Sequence, residues 1–101
     1  MSFLKLKTTV KTPEVVVIAA AAVNARTSLG FKGDTLITSA NDSVHMQGSL
    51  HYVDRALDFR TNDLTPGEIS RWASDIRVRL GAAFQVIIEA DHLHVEYDPK
   101  V

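Results

Sequence analysis

The sequence predicts a small α+β domain: two helices and a mainly antiparallel sheet. Three observations predict it. Thr65-Pro66-Gly67-Glu68 reads as a capping box, and after it Ile69, Trp72, Ala73, Ile76 and Leu80 recur at helical spacing. Two β-rich runs, Phe84 to Glu89 and Leu93 to Tyr97, are separated by Ala90-Asp91, a connection short enough for an antiparallel pair. The 101 residues, 46% hydrophobic and 23% charged, suit a single domain, residues 1–101, with a modest core.

At the N-terminus Phe3, Leu4 and Leu6 alternate with Lys5 and Lys7, as in a short edge strand or an attached arm. Thr12-Pro13-Glu14 starts a helix with a hydroxyl cap, proline in the first turn and an acid near the positive end of the dipole. That helix is expected to reach about Ser28, with Gly30 near its end. Its apolar residues run nearly all the way round, which predicts a helix covered on most sides. Lys5, Lys7 and Lys11 ahead of Val15 to Val23, with Val23-Asn24-Ala25 beyond, also have the look of a signal peptide. Pro13 and Glu14 at the entrance, and a length well below the ~20 residues of a membrane span, favour a core helix instead.

Thr35 to Ser39 has strand composition after the Gly33-Asp34 turn signal, and Ala40 to Gly48 is polar and reads as a loop. From Arg55 to Arg60 the residues alternate, so Leu57 and Phe59 should enter the core while Asp58 and Arg60 face away from it. Gly81 closes the second helix, and Asp98-Pro99 ends the last strand.

The net charge is −1 and no basic face stands out, so a nucleic-acid partner is not expected, nor is a membrane span. Function must therefore be sought in a site. Cysteine is absent, which leaves imidazole and carboxylate as metal ligands. Three of the four histidines fall in two clusters, one holding His51 and Asp58 and the other Glu89, Asp91, His92 and His94. An acid between Leu57 and Phe59 should be exposed, paired or metal-bound. His92 and His94, one residue apart, share a strand face, with Glu89 and Asp91 close by in sequence. Taken singly, each cluster also fits unrelated surface side chains.

Ser49-x-His51-x-x-Asp54-x-Ala56-x-Asp58 resembles the S-x-H-x-x-G-x-A-x-D signature of the zinc D-alanyl-D-alanine peptidases. These include carboxypeptidases, dipeptidases and phage L-alanyl-D-glutamate endolysins, and share a fold with the hedgehog signalling domain. Asp91-His92-Leu93-His94-Val95-Glu96-Tyr97 is similar to the family's second motif, and the resemblance covers about residues 35 to 99. It implies a hedgehog/DD-peptidase-like fold, zinc held by His51, Asp58 and His94, and Asp91 as general base. Glu89-x-x-His92 matches the second motif's spacing as Asp91-x-x-His94 does, and Val95-Glu96-Tyr97 after His94 is what favours His94 over His92 in this comparison. Ser49 would hold substrate, and Arg60 or His45 would stand in for an arginine that the family often carries before the first motif and that Ser39 to Asp42 lacks. The family's glycine is Asp54 here. The function implied is a zinc peptidase cutting peptidoglycan stem peptides, released to the cell wall from a host cytoplasm. The alternative is a zinc-stabilised structural or binding domain without catalysis, for example in a phage particle.

Overall fold

The computed structural model describes the backbone at residues 4–6, 13–47 and 50–98, and side chains at 13–40 and 55–98. In chain order the elements are β1 (Leu4–Leu6), α1 (Pro13–Leu29), β2 (Thr35–Gln47), β3 (Leu50–Arg60), α2 (Pro66–Leu80), β4 (Phe84–Ile88) and β5 (His92–Tyr97). The five strands form one sheet in the order β1-β2-β3-β5-β4. The pairs β2–β3, β3–β5 and β4–β5 are antiparallel, and β1 adds to β2 in parallel. A parallel pair needs a crossover, and α1 supplies it. The α+β class is as the sequence predicts.

The core lies between one face of the sheet and the two helices. Ile37, Leu57, Phe59, Val86, Leu93 and Val95 meet Val15, Ile18, Ala22 and Ala25 from α1 and Trp72, Ala73 and Ile76 from α2. The small side chains of α1 let it sit close to the sheet. Trp72 fills the wedge between the helices, edge-on to Phe59 with centroids 5.8 Å apart, and its indole N–H donates to the Ala22 carbonyl at 3.0 Å. That bond meets the one polar need of a buried indole.

Helix α2 begins as expected. The Thr65 hydroxyl accepts from the Glu68 N–H and the Glu68 carboxylate accepts from the Thr65 N–H, a closed capping box. Helix α1 departs from expectation on one point. Val16 and Val17 are about half exposed, so the helix is covered by the sheet and α2 on one side only. Its apolar surround reflects many alanines and valines rather than burial on all sides.

A buried cation anchors the junction of α1 with the β3–α2 loop. Arg26 is fully buried; its Nη2 donates to the Lys32 carbonyl and to Asp63, both at 2.8 Å, and the guanidinium lies 5.0 Å from the Trp72 ring centre. Gly33 turns the chain there at φ +88°, and a Cβ would sit 3.0 Å from the Asp63 carboxylate. Only glycine meets both demands cheaply.

One expectation for the middle of the chain is corrected. The polar segment from Ala40 onwards is strand, with β2 running unbroken to Gln47. Its partner β3 is likewise continuous, with Gln47 opposite Leu50 and Met46 opposite His51. Polar composition did not stop this pairing, because backbone hydrogen bonds form whatever the side chains are.

Candidate functional site

The face of the sheet away from the helices is open, and the alternation in β3 and β5 decides what it carries. Leu57, Phe59, Leu93 and Val95 point inward, which turns Asp58, Arg60, His92, His94 and Glu96 outward. The register sets Asp58 opposite His94, Arg60 opposite His92 and Ala56 opposite Glu96. Strand β2 contributes a bulge. Ile37 pairs with Phe59 and Ser39 with Asp58, so Thr38 and Ser39 together face a single residue. Thr38 donates weakly to the Asp58 carbonyl at 3.4 Å.

Five titratable side chains form a row across this face. Asp91 Oδ1 lies 2.6 Å from His92 Nδ1; His92 Nε2 lies 3.7 Å from Asp58 Oδ1; Asp58 Oδ1 lies 2.7 Å from His94 Nδ1; and His94 Nε2 lies 3.3 Å from Glu96 Oε1. His94 thus stands between two carboxylates, Asp58 at one ring nitrogen and Glu96 at the other. The hydrogen bond to Asp91 holds the His92 imidazolium above the usual histidine range; burial opposes this, and Asp58, Asp91 and Glu89 add attraction. The same hydrogen bond and charge hold Asp91 below the usual carboxylate value.

Asp58 lines two shallow depressions. The larger, about 510 Å³, is bounded by Leu36, Thr38, Arg60, Asn62, Asp91 and His92; the smaller, about 270 Å³, by Ser39, Ala40, Ala56 and His94. An oriented imidazole, His92, faces the first. With Nδ1 engaged by Asp91, its Nε2 is the nitrogen that can give or take a proton there.

The residues singled out from the sequence are thus brought together in part. Asp58, His94, His92, Asp91 and Arg60 share one face and one neighbourhood. Glu89 stands exposed at the β4–β5 turn, where its N–H donates to the His92 carbonyl. Ser49 lies outside the described residues. His51 and His45 lie far out on the β2–β3 hairpin, paired with Met46 and Tyr52. At the strand rise of ~3.3 Å per residue, His51 is about 23 Å along β3 from Asp58. The expectation that His51 and Asp58 make one local ligand pair is not met in this structure. The physical reason is that the seven-residue step is spanned by extended chain, whereas zinc draws all its donors to within about 2.0–2.3 Å of itself. The set His51, Asp58 and His94 therefore does not fit a single zinc ion as the strands are paired, and no group of three or more His, Asp or Glu side chains suited to a metal occurs among the described residues.

Glu96 was visible as one of several nearby acids, but its partner was not; the i, i+2 spacing to His94 is the signal that pairs them. Asn62 and the Thr38–Ser39 bulge carried no signal in the sequence. Gly48-Ser49 between two runs is a hairpin turn signal, and it would have argued against a loop from Ala40 to Gly48.

No family model, no curated protein and no solved structure matches this chain. Likeness to the zinc peptidases therefore rests on the two motifs alone. No helix among the described residues is long and apolar enough to cross a membrane.

Proposed function

We propose that this chain is a peptidase acting on peptidoglycan stem peptides, of the zinc D-alanyl-D-alanine peptidase kind that its motifs resemble, centred on the open sheet face at Asp58 and His94. One observation carries the reading. These two residues belong to different motifs, 36 positions apart, and their side chains meet at 2.7 Å in direct cross-strand register. Asp91, the base that the resemblance implies, stands at the edge of the same depression and orients His92. The chain's own groups can position a peptide against β2 and β3, hold a proton at His92 Nε2 and balance charge between Asp58 and His94. Zinc is where motif and geometry part. To bring His51 to Asp58 and His94, the outer part of β3 would have to leave its pairing with β2.

A second reading, a metal-free binding domain, is favoured by one specific feature: carboxylates already engage both nitrogens of His94 and Nδ1 of His92. One experiment separates the readings. Protein purified without chelator is analysed for metal, and purified peptidoglycan treated with it is analysed by mass spectrometry for released peptides or amino acids. The peptidase reading expects one zinc per chain and release that Asp58→Asn or His94→Ala abolishes. Zinc without release leaves the zinc-stabilised, non-catalytic domain; neither zinc nor release leaves the metal-free one.

A further inference from the structure

We infer that the outer edge of β4 takes an extended strand in trans, one that places an acidic side chain against Arg77. Such binding does not depend on the peptidase reading.

Strand β4 ends the sheet, with β5 on one side and no strand on the other among the described residues. Its register shows which backbone groups face out. The Glu89 N–H donates to the His92 carbonyl at 2.9 Å, and the Asp98 N–H donates to the Ala83 carbonyl at 2.7 Å. Bonding direction alternates along an antiparallel strand, so Gln85 and Ile87 bond inward to β5, while Phe84, Val86 and Ile88 turn their groups outward. Two of these outward groups are engaged. The Phe84 N–H donates to the Gly81 carbonyl at 3.3 Å, and the Val86 carbonyl accepts from Arg77 Nη2 at 2.9 Å. The Val86 N–H and both backbone groups of Ile88 are left for an incoming strand. Ile87 and Ile88 are both exposed, so each side of this edge carries apolar surface.

Arg77 selects the strand. Its guanidinium reaches the edge from α2, and no carboxylate pairs with it among the described residues, whereas the nearby Arg79 is paired with Asp75. A carbonyl has two lone pairs, so Val86 can accept from Arg77 and from a strand N–H together. Directly opposite residues share a sheet face, which puts the residue opposite Val86 on the helix side, beside Arg77. An acid there gains a charge-assisted bond. The residues two positions to either side would meet Phe84 and Ile88, which favours apolar side chains. Glu89, exposed beyond Ile88, disfavours an acid placed further along. A second copy of this chain does not supply the pattern. Outward groups pair only with outward groups, so an antiparallel β4 would set Phe84, Val86 or Ile88 opposite Val86, and the Val86–Val86 register would bring two Arg77 side chains together.

The test is an NMR titration of the unaltered protein with the blocked peptide acetyl-Thr-Val-Thr-Glu-Thr-Val-Thr-amide and with its analogue carrying Gln for Glu. The Glu peptide should bind at least about fivefold more tightly than the Gln peptide. It should slow hydrogen exchange at the Val86 and Ile88 N–H groups and leave that of Ile87, already bonded to β5, unchanged. Arg77→Gln, which keeps a donor for the Val86 carbonyl, should bring the two peptides within about twofold. Equal binding of the two peptides by the unaltered protein, a comparison that needs no variant to fold, overturns the inference; so does a preference that survives in Arg77→Gln, or protection at other amides. Absence of binding up to about 1 mM leaves Arg77 as a cover for the edge and overturns it as well. Protection of Val86 and Ile88 that rises with protein concentration alone would give the edge to a second copy, with the same result.

Discussion

Removing the Asp63 carboxylate tests whether the buried Arg26 is held as described. Arg26 has no solvent exposure, and its two acceptors are the Lys32 carbonyl and Asp63, each at 2.8 Å. Its Nε and Nη1 have no hydrogen-bond partner among the described residues, and Asp63 lies against Nη2 as its compensating charge. Deleting one member of a buried ion pair costs about 3–5 kcal/mol, because the other charge stays buried. The Asp63 side chain is 25% exposed, so water can enter beside the guanidinium, and the Lys32 carbonyl and Trp72 ring remain. Asp63→Ala should therefore fall at the low end, about 3 kcal/mol. At a urea slope of about 1.5 kcal/mol per M, the unfolding midpoint drops by about 2 M. Asp63→Asn keeps an oxygen acceptor without the charge and should lose about half as much. Arg26→Met replaces the guanidinium with an apolar chain, and in that background Asp63→Ala should cost about 2 kcal/mol less. A midpoint within about 0.3 M of the unaltered protein, or strict additivity in the cycle, refutes the reasoning.

Three further outcomes follow. Gly33→Ala should cost about 1–2 kcal/mol by thermal melting, since it combines left-handed backbone with a Cβ 3.0 Å from Asp63; an unchanged melt would mean that the turn differs. Asp91→Asn should lower the His92 pKa seen by NMR, because the Asp91 hydrogen bond is the largest cause raising it; an unmoved titration would remove Asp91 as its partner. The sign for stability is set by both groups. His92, raised from 6.5, contributes fully below that value and fades as pH climbs through its folded pKa. Asp91, lowered from 3.8, contributes fully above that value and fades as pH falls through its folded pKa. The pair thus supports the fold best between pH 3.8 and 6.5. Finally, in a calorimetric zinc titration His51→Ala should behave as the unaltered protein does, within about twofold, because strand pairing holds His51 away from Asp58 and His94. A loss of about tenfold or more in His51→Ala would show that the hairpin abandons its register to bring His51 to Asp58.

Much of the scaffold was legible because its signals are local. The capping box at Thr65 and the apolar stripe ending in Trp72 and Ile76 specify α2 within one window of chain. The alternation of Leu57, Asp58, Phe59 and Arg60 told inward from outward, and the strand bears that out. The stretch from Ala40 to Gln47 misled because polar residues at a hairpin's far end resemble a loop, while its pairing with Leu50 to Leu57 is a property of two strands.

The sequence by itself determined which residues are core and which are chemical, since side-chain periodicity and turn chemistry act over a few residues. Only the tertiary structure decided which chemical residues meet. Register across β3 and β5 joins Asp58 to His94, and the bulge at Thr38–Ser39 opens beside them. The same extended chain carries His51 about 23 Å away. A motif gives residue types and spacing along the chain; distance in space depends on whether that spacing is coiled, turned or stretched.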